Sequence, residues 1–219
     1  MTTARPRPPW KARLGGALLV LGTVQFFVAH VVVQSAWDQP RYRWSTNYIS
    51  DLGAVGCGPV LGNDVCSPLH AVMNTAFVAQ GVLLLAGIVL TSPAGRRHAW
   101  RTMVGLTGIS WVVVGLVPED VDLTVHSIGA LPVFLLGNAA LVVAGTSTRD
   151  RPAVRRAALA LGVIGLLGFA LTVLATANPG GAIGVGAAER VTVFPLQVWA
   201  LLFGAAVLAR RSAKVPGAA

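Results

Sequence analysis

Charged side chains are scarce in this 219-residue chain, where they make up 11% of the residues against 54% hydrophobic ones. A soluble domain normally carries about 25% charged residues. The chain therefore lacks the polar surface that water requires, and we exclude a soluble enzyme. Its net charge of +9 would suit a nucleic-acid-binding protein, but zinc-finger spacings, basic helices and aromatic-studded basic strands are missing. We accordingly expect no nucleic-acid partner.

The first apolar run also lacks the marks of a cleavable signal. It follows four basic residues and extends over about 14–34, which is longer than the apolar region of a usual signal peptide. No convincing small-x-small cleavage site follows it. We interpret this run as a membrane span that is retained.

Six apolar stretches are long enough to cross a hydrocarbon core, which takes about 20 residues. Their limits are about 14–34, 68–91, 101–117, 126–146, 157–177 and 189–209. There is no internal repeat and no separate soluble domain. The sequence thus predicts an all-α fold, a polytopic membrane bundle of six helices over 14–209. A basic N-terminus (1–13), a tail (210–219) and one long loop (35–67) complete the chain.

The basic residues fall on one side of these spans. Fourteen of the 17 lie in the N-terminus, the 92–101 and 147–156 loops and the tail, whereas seven of the eight acidic residues lie on the opposite side. Loops rich in Arg and Lys stay in the cytoplasm. We therefore predict a multi-pass protein of the plasma membrane with both termini cytoplasmic.

The only two cysteines, Cys57 and Cys66, lie in the long first loop. With the termini inside, this loop faces an oxidising compartment, where disulfides persist. We predict that the two cysteines form a disulfide; two unpaired thiols are the alternative.

Polar residues concentrate in the predicted outer loops and in the outer halves of the spans. An ionisable group within a span is costly and usually faces the bundle interior. Residues 44–53 are predicted to form a short surface helix that Ser45 or Thr46 caps, with Trp37, Tyr42, Trp44 and Tyr48 in an interfacial aromatic belt. We predict an outward-facing polar pocket that binds a lipid headgroup or another amphiphile, without a cofactor. Its candidate residues are Ser50, Asp51, Asn74, Glu119, Asp120, His126, Glu189 and Arg190.

Arg190 is a basic residue on the acidic side of the membrane. We expect an ion pair between Arg190 and Asp51, Glu119 or Asp120. The alternative is that Arg190 receives an anionic headgroup or substrate.

Three of the four histidines lie at a similar predicted depth. His30, His70 and His126, with Asp51 to activate water, could form the zinc site of a metal-dependent intramembrane hydrolase, similar in concept to ceramidase-like proteins. No His-x-x-x-His pair supports this alternative. A second alternative is a small transporter. Transporter folds are commonly built from internal repeats, and this sequence has none.

Several segments resemble a family of bacterial and archaeal membrane proteins known as domain of unknown function 998. They are Ile49-Ser-Asp-Leu-Gly53, the second span with Asn74, Val117-Pro-Glu-Asp120, His126, and Glu189-Arg190 with Trp199. The resemblance covers nearly the whole chain, and a more distant similarity links Ile49–Gly53 to autophagy-modulator membrane proteins. The resemblance to domain of unknown function 998 implies six spans and a shared site at the outer face, but no particular reaction.

Overall fold

The computed structural model describes residues 9–92, 98–147, 152–178 and 181–209. Within these ranges, six helical segments are long and apolar enough to cross a membrane, which confirms the predicted all-α bundle. Much of the predicted basic side of the membrane lies outside the described residues. This holds for the tail, most of the N-terminus, and the loop residues Arg96, Arg97, Arg149 and Arg151.

The helices follow one another in chain order. They are α1 (Pro9–Ser35), α2 (His70–Thr91), α3 (Ala99–Leu116), α4 (Leu123–Leu131), α5 (Gly137–Ser147), α6 (Pro152–Ala177) and α7 (Val185–Leu208). A π-helical turn, Pro132–Leu136, joins α4 to α5, so that these two helices form the fourth span. A short hairpin, β1 (Gly58–Val60) and β2 (Asn63–Val65), lies between α1 and α2.

The irregular turn in the fourth span has a local cause. Pro132 has no N–H to donate and its ring crowds the preceding turn, which weakens regular α-helical hydrogen bonding at this point. The wider turn that follows is stabilised by Asn138, whose Nδ2 donates to the carbonyls of Phe134 (2.7 Å) and Thr192 (2.8 Å). Because Thr192 belongs to α7, the same amide joins the fourth span to the last one.

Both ends of the described chain lie at one end of the bundle. Near the start of α1, a Cβ added to Gly16 would lie 2.9 Å from the carbonyl oxygen of Gly204, near the end of α7. Residues 36–69 cross the other end, which we call the loop end. Which side of the membrane the loop end faces stays a prediction.

The predicted disulfide is confirmed, because Cys57 and Cys66 are bonded across the hairpin. The predicted surface helix over 44–53 is wrong. Only a single 3-10 turn forms there, at Ser50–Gly53, and no side chain caps it. Residues 44–46 are exposed, whereas 47–53 are largely buried against the bundle, and side chains from α7 bind the backbone of this stretch.

The predicted aromatic belt is also wrong for three of its four members. Trp37, Tyr42 and Tyr48 are buried, with 2%, 9% and 7% of their surface exposed, whereas Trp44 is half exposed. The Tyr42 hydroxyl donates to the carbonyl oxygen of Tyr48 (2.9 Å). These three rings, which belong to the 36–69 segment, are therefore covered by protein instead of lying in the lipid interface.

Candidate functional site

Arg190 binds the backbone of the 36–69 segment. Its Nη1 donates to the carbonyl oxygens of Trp44 (3.0 Å), Asn47 (3.0 Å) and Gly186 (2.7 Å), and its Nη2 donates to the hydroxyl of Tyr42. The guanidinium also lies over the Trp44 ring, 4.6 Å from the ring centroid. A planar fork of donors suits this task, because one side chain satisfies several carbonyls that are withdrawn from water.

Glu189 binds the same segment from the neighbouring position. Its Oε2 accepts a hydrogen bond from the backbone nitrogen of Ile49 (2.5 Å). Thus two consecutive residues of α7 hold one strip of backbone, one through its carbonyls and the other through an N–H group. Gly186 allows the close approach, since a Cβ at this position would lie 2.2 Å from the carbonyl oxygen of Asn47.

The ion pair predicted for Arg190 is not found. Among the residues that the structure describes, no carboxylate makes a hydrogen bond or salt bridge with its guanidinium, and carbonyl oxygens take that place. Asp120 accepts instead from the backbone nitrogen of Gly56 (2.6 Å). The physical reason is that the folded loop offers several carbonyls at the depth of Arg190, and together they can stabilise a guanidinium without a full countercharge.

Asp51 is fully buried, and one of its oxygens is saturated. Oδ2 accepts from Asn47 Nδ2 (2.7 Å), from the backbone nitrogen of Tyr48 (3.1 Å) and from Asn63 Nδ2 (3.0 Å). The Asn47 amide thus binds the Asp51 carboxyl directly, four residues further along the same segment. Asn63 comes from the hairpin, and nothing in its sequence position indicated this contact.

A second buried carboxyl group, that of Glu119, lies beside Asp51. The side chains of Asp51 and Glu119 are within hydrogen-bonding contact of each other, and Glu119 is also buried. Burial raises the pKa of Asp51 above its ordinary value. Burial, together with the neighbouring Asp51 carboxyl, raises the pKa of Glu119 well above its usual range. Asp51 and Glu119 thus form a buried pair of carboxyl groups, in which each has one oxygen without a hydrogen-bond partner.

His126 is positioned by its surroundings in two ways. The Asp122 carboxylate caps α4 by accepting from the backbone nitrogen of Val125 (3.0 Å), which fixes the start of the helix. The His126 Nδ1 then donates to the carbonyl oxygen of Val117 (2.8 Å). This arrangement leaves Nε2 as the ring nitrogen that is available to a ligand.

A cavity of about 100 Å³ lies between these groups at the loop end. Its polar lining consists of Ser50, Glu119, His126, Ser127 and Glu189, together with the hydroxyl-bearing Tyr48. Its apolar wall includes Phe77, Trp111, Val133, Phe134 and Val193. The cavity thus has an acidic, hydrogen-bonding part and an aromatic and aliphatic part.

The eight residues predicted for the pocket divide into two groups. Ser50, Glu119, His126 and Glu189 line the cavity, and Asp51 contacts one of them, Glu119. The others hold the 36–69 segment in place: Asn74 donates to the carbonyl oxygen of Gly53 (2.8 Å), and Asp120 and Arg190 bind backbone as described above.

The three histidines proposed for a zinc site are not brought together. His30 Nε2 lies 3.4 Å from Arg190 Nη2, a poor place for another cation, and His70 Nδ1 contacts the carbonyl oxygen of Ser67 (3.1 Å). Within the described ranges, no three His, Cys, Asp or Glu side chains are grouped closely enough to hold a metal ion. Histidines at similar depth on separate helices face different neighbours.

Sequence reasoning missed Ser127 and most of the apolar wall. A usable signal existed for part of this wall, because His126, Ala130 and Phe134 recur at steps of four residues, the spacing of one helix face. For Phe77 and Trp111 no signal existed, since a buried aromatic residue in a span looks the same whether it lines a cavity or fills the core.

The fold and the polar loop end define a class: a six-span helical membrane protein with an acid-lined cavity at one end. The chain belongs to the family described as protein of unknown function (DUF998), whose model matches residues 20–206 and so contains all of the cavity residues. The resemblance seen in the sequence is thereby confirmed. No curated protein and no solved structure matches the chain.

Proposed function

We propose that this protein binds, in the cavity at its loop end, the head of an amphiphile that donates hydrogen bonds, such as an amine or an alcohol. The observation that carries the proposal is the character of the lining. Glu119 and Glu189 supply carboxyl groups, and no Lys or Arg is among the described residues that line the cavity. An acceptor-rich cavity without a cation favours donors over anions.

The size of the cavity limits what it accepts. The cavity has a volume of only about 100 Å³. Drug-sized ligands occupy pockets of about 300–1,000 Å³. We therefore expect the cavity to hold a headgroup and the first few carbons, while the rest of the molecule lies outside.

The exit for an apolar tail is along α4. The lining residues Leu61, Leu123 and Ser127 are exposed, so the cavity opens past them. In the described structure α4 packs closely only against α3 and the π-helical turn, which leaves its other side unpacked. An alkyl chain there would lie beside apolar side chains such as Ile128, which is 67% exposed.

Arg190 argues against an anionic headgroup in this cavity. Its guanidinium is occupied by backbone carbonyls and Tyr42, and its side chain lines a separate apolar groove between α6 and α7. Of the membrane lipids expected as partners, those with an amine or hydroxyl headgroup therefore fit better than those that expose only phosphate or carboxylate.

Three water-soluble probes of equal length test the preference. We expect n-hexylammonium to bind purified protein more tightly than n-hexanol, and n-hexanoate to bind least, as measured by isothermal titration calorimetry in a neutral detergent. Tightest binding of hexanoate would contradict the proposal. So would equal binding of all three probes.

A cavity-filling variant shows where the probes bind. Ala130 lines the cavity, whereas Ile128 lies on the same helix outside it. We expect Ala130→Phe to abolish probe binding and Ile128→Phe, the matched control, to preserve it. Unchanged binding to Ala130→Phe would place the probes elsewhere on the protein.

The source of the amine is a separate question with its own comparison. Protein in discs of phosphatidylcholine alone is compared with protein in discs that also contain phosphatidylethanolamine. If the headgroup of a lipid occupies the cavity, added hexylammonium should bind more weakly in the second case. If the natural ligand is a free amine, the two discs should give the same affinity.

We also propose that the loop end faces the outside of the cell. The disulfide at the loop end supports this orientation, because disulfides persist in oxidising compartments. The described basic residues at the other end, Arg13, Arg101, Arg155 and Arg156, support it as well. A reporter fused after residue 219 that is active only in the cytoplasm should be active, and an inactive fusion would reverse the orientation.

A further inference from the structure

We propose that Asp51 and Glu119 share a single proton, and that an ammonium headgroup entering the cavity displaces this proton into water. This inference rests on the proposed function and adds to it the selectivity of the site. It makes binding of a cationic amine depend on pH, while binding of a neutral alcohol does not.

The geometry requires a proton between the two carboxyl groups. Asp51 and Glu119 are 0% and 3% exposed, and their side chains are in contact. Asp51 Oδ1 and Glu119 Oε1 are both buried and have no hydrogen-bond partner. Two carboxylate oxygens repel each other, and an unmatched buried acceptor is costly. One proton placed between them turns this repulsion into a hydrogen bond and satisfies both oxygens.

The groups around the pair do not supply a positive charge in contact with it. Asp51 accepts from Asn47, Tyr48 and Asn63, and Glu119 lines the cavity together with Ser50, His126 and Glu189. Asp120, next to Glu119 in the chain, binds the backbone of Gly56, and Asn74 of α2 binds that of Gly53. Arg190 is turned toward the carbonyls of Trp44 and Asn47. Glu189 is close enough to act on both carboxyls, which makes full ionisation of the set still less favourable.

The pKa directions agree with this geometry, since burial raises the pKa of both Asp51 and Glu119. Glu119 lines the cavity, so a bound headgroup reaches one member of the pair directly. An ammonium group brings the missing positive charge and several N–H donors. It thereby stabilises the second carboxylate, and the shared proton is released to the solvent. The step makes and breaks no covalent bond other than that O–H bond.

Proton release can be counted directly. Hexylammonium stays charged up to about pH 10, so any pH dependence of its binding below that value comes from the protein. If one proton is displaced, its association constant rises about tenfold per pH unit while the pair remains protonated. Calorimetry in two buffers with different ionisation enthalpies should report close to one proton released per hexylammonium and none per hexanol.

Two variants assign the proton to the pair. In Glu119→Gln an amide replaces the shared acid, so we expect proton release to disappear and the pH dependence to become flat. Asp64→Asn is the matched control, because Asp64 is an exposed carboxylate of the hairpin outside the cavity. It should release the same proton as the wild type. If Glu119→Gln does not fold, Asp51→Asn tests the same point, and we expect it to release no proton. The number of protons that the wild type releases is a further test.

The outcomes separate this inference from the proposed function. Hexylammonium that binds without releasing a proton, with an affinity independent of pH, overturns the shared proton and leaves the cavity as a binding site. Proton release that persists in Glu119→Gln and Asp51→Asn also overturns it. If neither hexylammonium nor hexanol binds the wild-type protein, the proposed function itself fails.

Discussion

The two ends of the bundle are held together by different means. At the end opposite the loop, α1 meets α2 through Gly15 and Gly87, and it meets α7 through Gly16 and Gly204. A Cβ on Gly15 or Gly16 would lie 2.9 Å from the facing carbonyl oxygen. At the loop end, buried polar side chains bind the backbone of a segment that is not itself helical, as Arg190 does.

The difference follows from what each end has to satisfy. Membrane helices already satisfy their own backbone groups, so they associate by close packing, which small residues permit. The 36–69 segment has few internal backbone hydrogen bonds, and its buried N–H and C=O groups need partners from elsewhere. The polar residues near the loop end therefore have two uses, holding the segment and lining the cavity below it.

Loss of Arg190 should have the largest effect at the loop end. Arg190→Met leaves the carbonyls of Trp44 and Asn47 without donors, and breaking a buried charged network typically costs about 3–5 kcal/mol. We expect a loss of this size in the free energy of unfolding, measured by denaturant titration in detergent. Arg43→Met removes the same charge from an exposed site and should change stability little. Equal effects of the two would show that Arg190 does not hold the loop.

Removal of the disulfide tests how strongly the hairpin is tied down. Cys57→Ser with Cys66→Ser opens a short covalent loop, and the chain-entropy model puts the cost at about 2–3 kcal/mol. We expect the double variant to be less stable than the oxidised wild type by this amount. The reduced wild type should unfold like the double variant. An unchanged midpoint on reduction would mean that the hydrogen bonds of the segment suffice.

A single methyl group tests the opposite end. In Gly87→Ala the new Cβ would lie 2.6 Å from Leu19 Cγ and 3.0 Å from the carbonyl oxygen of Gly15. Overpacking of this kind costs about 1–3 kcal/mol. At Gly105, in α3, the nearest atom would be 3.4 Å away, so Gly105→Ala should be tolerated. The two unfolding midpoints, measured side by side, decide whether close backbone approach stabilises this end.

The acid pair at the loop end predicts that the stability of the protein depends on pH. Burial raises the pKa of Asp51 and Glu119, so the folded protein holds a proton that the unfolded chain releases near ordinary carboxyl values. This stabilisation is complete below the unfolded pKa and is lost as pH rises through the raised one, by up to about 1.4 kcal/mol per pH unit. Glu119→Gln should flatten that slope, measured from unfolding free energies, and Asp64→Asn should keep it. A slope that persists in Glu119→Gln would assign it to another group.

Prediction from the sequence worked where one local property decides the outcome. Apolar length alone located the spans, and the two cysteines had only each other as partners. Prediction from the sequence failed where a polar side chain binds a group from a distant part of the chain. Arg190 was paired with a carboxylate because opposite charges are the usual solution, yet Trp44 and Asn47 lie more than 140 residues away and offer backbone carbonyls instead.

The aromatic residues of the first loop illustrate the same limit. Tryptophan and tyrosine next to a span suit the lipid interface, and composition alone does not distinguish that place from a buried one. Tyr42 is buried because its hydroxyl finds both the Tyr48 carbonyl and Arg190. The choice between lipid and protein depends on the path of the 36–69 segment, which no periodic pattern encodes.

The amino-acid sequence by itself determined that this protein is a six-span membrane bundle of its family, with a disulfide in the long loop, because hydropathy, chain length and cysteine number are local or additive properties. Only the tertiary structure decided which polar residues bind backbone and which line a cavity. Asp51 lies in the first loop, and Glu119 lies in the turn between α3 and α4, more than 60 residues further along the chain. Whether the two side chains meet depends on how these two segments come together. Such long-range contacts depend on packing of the whole chain, and from them follows the single shared proton.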